Sequence, residues 1–140
     1  MRTATAILLV ATFGLAGCGS GSDGDEGTGP DSGPTALSIS YRPTPNAEPS
    51  IARLDCARPG AGQERRACRE VESIPAGTFD PVPPDRACTE IYGGPETARI
   101  YGTVGGQGID ADFSRVNGCE IERWESVSFL LEATGLTGAG

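Results

Sequence analysis

The sequence, 140 residues long, predicts an α+β fold with a five-stranded antiparallel sheet, one or two short helices and two disulfides. Three observations carry that expectation. Short segments alternate apolar and polar residues and are separated by glycine and proline. One stretch, 62–71, is rich in helix formers instead. Four cysteines remain in the body of the chain once Cys18 is set aside, an even number suited to a small core that needs covalent help.

Residues 1–17 read as a lipoprotein signal peptide. Arg2 gives the positive start, and Ala6 to Leu15 form an apolar run too short to cross a bilayer as a mature helix. The run closes on Leu15-Ala16-Gly17-Cys18, which resembles the lipobox of bacterial lipoproteins. That resemblance implies export and a lipid on Cys18 holding the chain to the outer face of the cell membrane, or secretion where the cysteine is not lipidated. A flexible linker of Gly, Ser and Asp follows over 18–34. Its Asp23, Asp25 and Glu26 lack the ligand spacing of a calcium loop and read as solvated charge. The folded domain is expected over 35–131, with a flexible tail at 132–140.

Within the domain, Leu37-Ser38-Ile39-Ser40-Tyr41 alternates as a half-buried strand does. Ala52, Leu54 and Cys56 share one face of a second strand, Ser50 to Cys56. Gly62 to Val71 has a mostly polar surface and suits an amphipathic helix pinned through Cys68. Ala98, Ile100, Gly102 and Val104 line a third strand, and Ile109, Ala111 and Phe113 a fourth. Gly105-Gly106-Gln107-Gly108 joins these two as a hairpin; with no lysine and no helix after it, it is not a phosphate cradle. Val127, Phe129 and Leu131 alternate and predict a fifth strand.

Composition excludes several functions. Histidine is absent, which removes the usual general base and every Ser-His or Cys-His pair. All 11 basic residues are arginine, so lysine chemistry is excluded as well. The net charge of −8 argues against a nucleic-acid partner. Asp110, Asp112 and Glu120 have no candidate catalytic partner. No enzyme, cofactor or metal is expected. Cys56, Cys68, Cys88 and Cys119 contain no closely spaced pair of the kind zinc sites use. They read as a disulfide framework, for which three connectivities are open.

The segment before the third strand, Asp80 to Pro95, carries the functional signal. Prolines bracket it, Cys88 anchors it, and Gly93 and Gly94 follow it. A restricted extended peptide loses little entropy on docking, and a protease cleft binds such a peptide.

An ordered set of residues resembles the Streptomyces subtilisin inhibitor-like family between about Leu37 and Leu131. It comprises Cys56 and Cys68 flanking a helix, then Ala87-Cys88-Thr89-Glu90-Ile91-Tyr92-Gly93-Gly94-Pro95. Gly102 to Gly108, Phe113 to Glu120 and Val127 to Leu131 complete it. The resemblance implies disulfides Cys56–Cys68 and Cys88–Cys119, and inhibition of serine endopeptidases by a substrate-like loop. It places the reactive bond at Glu90–Ile91, with Thr89 holding the loop extended and Tyr92 making a further contact. Asn117 becomes the loop support, through an amide able to hydrogen-bond loop carbonyls. A homodimer through the sheet face is a further possibility that it raises.

Glu90 replaces the large apolar or basic residue usual at this position, so the target is either a glutamate-selective protease or a subtilisin that tolerates the carboxylate. Glu96, six residues on, reads as the neutral comparison for Glu90. The second reading of the chain is a non-inhibitory envelope lipoprotein that keeps the scaffold.

Overall fold

The computed structural model describes residues 33–137. The signal peptide, Cys18, the linker through residue 32 and the last three residues lie outside them. Eight elements follow in order: strands β1 (Ala36–Arg42) and β2 (Ser50–Asp55), helix α1 (Gln63–Val71), a 3-10 turn (Ala76–Phe79), strands β3 (Thr97–Val104) and β4 (Gln107–Phe113), and helices α2 (Gly118–Glu125) and α3 (Ser128–Ala133).

The strands form one antiparallel sheet in the order β2-β1-β3-β4. Register places Leu54, Leu37, Ile39, Ile100, Ala98, Ala111 and Phe113 on one face, and all of them are buried. Period-two alternation is therefore a true reading of these four strands. The opposite face is mostly polar, with Ile51 and Tyr101 exposed on it; Arg99 on β3 grips both oxygens of Asp110 on β4, at 2.7 and 2.6 Å. That bond holds the Asp110 carboxyl below its ordinary range. The β3–β4 turn is made by Gly105 and Gly106 at φ of 56° and 85°, the left-handed pair that a two-residue hairpin requires.

Helices α1 and α3 pack against each other and cover the apolar face with α2. The Cys56–Cys68 bond, with Cα atoms 5.6 Å apart, ties α1 to the end of β2. Cys88–Cys119 is the second disulfide.

The expected fifth strand is a helix, so the described sheet has four strands, not five. Val127, Leu130 and Leu131 are the fully buried residues of that segment, at 0%, 0% and 1% exposure, and their spacing of three and four is helical. Alternation over 127, 129 and 131 leaves Leu130 without a reason to be buried. A short apolar run fits both periods, and packing on α1 and β1 selected the helix here. Leu130→Ala is expected to cost about 2–5 kcal/mol in chemical denaturation, as deletions at closed core positions do. After α3, Leu136 packs on the core.

Helix α2 is the element that the alternation pattern missed, and with it the described residues hold three helices rather than one or two. Its signal was Asn117 followed three residues later by Glu120, an N-cap with an acidic first turn.

Candidate functional site

The segment 86–94 runs without strand pairing along the N-terminus of α2. What holds it in place can be followed residue by residue. The Arg86 guanidinium donates to the Glu122 carboxylate on α2 at 3.0 Å. Both side chains are more than half exposed, so this tie orients more than it stabilises. Cys88, half-buried, is bonded to Cys119 in the first turn of α2, with Cα atoms 5.4 Å apart.

Beyond the disulfide, two backbone hydrogen bonds fix the loop on either side of a short span. The Gly118 N–H donates to the Thr89 carbonyl at 2.9 Å, and the Gly93 N–H donates to the Arg115 carbonyl at 2.7 Å. Both contacts depend on missing side chains. A Cβ on Gly118 would overlap the Thr89 hydroxyl, and one on Gly93 would lie 2.9 Å from Ile121 Cδ1. Gly94 follows at φ 144°, where side chains are strained, and the Glu96 carboxylate folds back beneath it.

Between the two bonds stand Glu90, Ile91 and Tyr92. All three are exposed, Ile91 to 61% and Tyr92 to 64%. An isoleucine and a tyrosine displayed on a fixed backbone stand out against the buried aliphatics of the core. Ala87 and Thr89 are exposed as well. The predicted loop residues Ala87, Cys88, Thr89, Glu90, Ile91 and Tyr92 therefore lie on one continuous projecting segment.

Asn117 is placed at its foot, with a different bond from the one expected. Its side-chain oxygen accepts the Glu120 N–H at 3.0 Å and caps α2. Among the described residues its amide makes no hydrogen bond to a loop carbonyl; the Gly118 backbone takes that role at Thr89. Asn117 thus acts on the loop through the helix start that carries Gly118 and Cys119.

Beneath the far end of the span, Arg115 reaches the Glu96 carboxylate at 3.4 Å, and its guanidinium lies 5.9 Å from the centre of the Trp124 ring. Tyr41 closes this group, 6.4 Å from Trp124. Burial, followed by the Glu96 charge, pushes the Tyr41 hydroxyl above its ordinary value, against the opposing pull of Arg115.

Open depressions of about 790 and 920 Å³ lie elsewhere, around Phe79 and Pro81, and no residue of 86–94 lines either. Among the described residues, no group of three or more His, Cys, Asp or Glu could hold a metal ion, and no helix is long and apolar enough to cross a membrane. The chain matches no protein-family model, no curated protein and no solved structure.

Proposed function

We propose that this protein is a serine-type endopeptidase inhibitor whose reactive bond is Glu90–Ile91. One observation carries the reading: a three-residue exposed span, Glu90 to Tyr92, is fixed on both sides by backbone bonds and closed by a disulfide. A protease that attacks Glu90–Ile91 forms an acyl-enzyme at Glu90 and frees the amine of Ile91. The Cys88–Cys119 and Gly118–Thr89 links hold the first half of the loop, and Gly93–Arg115 holds the second. The new amine stays close to the acyl carbon at a high effective concentration, and religation competes with hydrolysis.

Glu90 enters the primary specificity pocket. A carboxylate left unpaired in an apolar pocket costs several kcal/mol, so a glutamate-selective serine protease with a basic pocket is the favoured target over a subtilisin. Ile91 and Tyr92 make the contacts beyond the bond.

In this reading a lipid on Cys18 anchors the chain, and the loop lies at the end of the domain away from the tether. Pro34 and Thr35 are bonded to the Gly105–Gly106 turn, where the upstream chain joins the domain. Ala36 pairs with Thr103 while Arg42 pairs with Thr97, beside the loop stem. The loop therefore stands at the other end of a strand about 20 Å long, away from the tethered end. Ile51 and Tyr101, exposed on the outer sheet face, are available for a homodimer contact.

Titration of a glutamyl endopeptidase with the purified protein tests the reading, with a subtilisin as the second enzyme. Stoichiometric inhibition of the first, and weaker inhibition of the second, is expected. Absence of binding to both would favour the non-inhibitory envelope module.

A further inference from the structure

Arg115 and Glu96 form an ion pair whose satisfaction is incomplete. Their side chains are 28% and 27% exposed, and the 3.4 Å contact is not aligned as a hydrogen bond. Glu96 Oε2 and Arg115 Nε are both buried without a hydrogen-bond partner. A half-satisfied, partly desolvated pair is a poor source of stability, and its presence calls for another reason.

Its position supplies one. Glu96 lies two residues past Gly94, at the base of the loop and just before β3, and its carboxylate fills the space beneath Gly94. Arg115 lies in the β4–α2 connection, and its backbone carbonyl receives the Gly93 N–H at 2.7 Å. The guanidinium is also packed over Trp124, itself buried in α2 at 6% exposure. The side chain thus ties the base of the loop to α2, and its own carbonyl takes the Gly93 N–H in the second half of the loop.

We propose that the Arg115–Glu96 pair is a positioning device for the segment after the reactive bond, and that it decides whether the cleaved loop religates. This rests on the inhibitor reading. The first half of the loop is held covalently through Cys88; the second half has no such bond, and an ion pair braced on Trp124 takes its place. Once Glu90–Ile91 is cut, the Gly93 bond to the Arg115 carbonyl is the hold nearest the Ile91 amine, ahead of the sheet pairing that starts at Thr97, and it keeps that amine in reach.

The test compares Arg115→Met and Glu96→Gln with Val71→Ala, a core deletion on α1 remote from the loop that matches their loss of thermal stability. Two readouts are followed: amide hydrogen exchange at Gly93 and Gly118, and the cleaved fraction at Glu90–Ile91 in equilibrium with a glutamyl endopeptidase. In Arg115→Met, exchange at Gly93 is expected to rise at least tenfold with Gly118 unchanged, and the equilibrium ratio of cleaved to intact chain to rise about tenfold. Glu96→Gln is expected to do the same to a smaller degree, and Val71→Ala to change neither ratio.

Equal effects in Val71→Ala, or unchanged Gly93 exchange in both loop variants, overturn the proposal. A Gly93 amide that responds as expected in a protein that no protease binds keeps the positioning role and overturns the inhibitor reading alone.

Discussion

Glu90→Leu is expected to reverse the protease preference of the loop. Affinity for a subtilisin should rise about 10²-fold, because the substitution removes a carboxylate whose burial opposes binding by about 3 kcal/mol in an apolar pocket. Affinity for a glutamyl endopeptidase should fall by a similar factor, since the basic pocket loses its partner and keeps a buried charge. The side chain is exposed and the backbone around it is fixed by Thr89 and Gly93, so the melting temperature should not move. Inhibition constants for the two enzymes check this. Parallel changes toward both would remove Glu90 from the specificity pocket.

Replacing Cys88 and Cys119 together by serine is expected to have the largest effect on both stability and function. The bond closes 31 residues, and loop closure of that length contributes about 3–4 kcal/mol on the chain-entropy account. The loop then keeps its two backbone bonds, the exposed Arg86–Glu122 tie and the Arg115–Glu96 pair at its base, none of them covalent. Cleavage at Glu90–Ile91 should become rapid and complete, which turns an inhibitor into a substrate. The paired control is Cys56→Ser with Cys68→Ser. Its loss is about 3 kcal/mol for a 12-residue separation, yet the loop is untouched, so inhibition per folded molecule should persist. Denaturant titration with a cleavage time course separates the two.

The strands of the sheet were legible because each buries a single face, which writes period two directly into the sequence at Leu37, Ile39, Ile100 and Phe113. The hairpin was legible because Gly105 and Gly106 adopt the backbone that other residues avoid. Segment 127–131 was not, since five residues with four apolar side chains fit both a strand and a turn and a half of helix. At the site, the cysteine and proline frame marked the segment 80–95 as a restricted extended stretch, while the assignment of 87–92 within it came from the family resemblance. The supports could not be read. Gly118 acts through a main-chain N–H and a missing Cβ, neither of which carries a side-chain signal. Asn117 showed its type but not its partner, because an asparagine that caps a helix and one that binds a loop look alike in sequence. Glu96 read as a neutral neighbour of Glu90, and the structure removes it from that role by placing it under Gly94 against Arg115. Its partner lies 19 residues away, a distance that only the fold closes.

The central claim is that Glu90–Ile91 is a reversibly cleaved bond, and approach to equilibrium from both sides tests it most directly. Intact protein and protein already cut at that bond are each incubated with a catalytic amount of a glutamyl endopeptidase, and the two forms are counted by intact mass spectrometry. Both samples are expected to converge on the same mixture, with the cut chain religated in part. Cut protein that never regains the bond, while intact protein is converted completely, would contradict it.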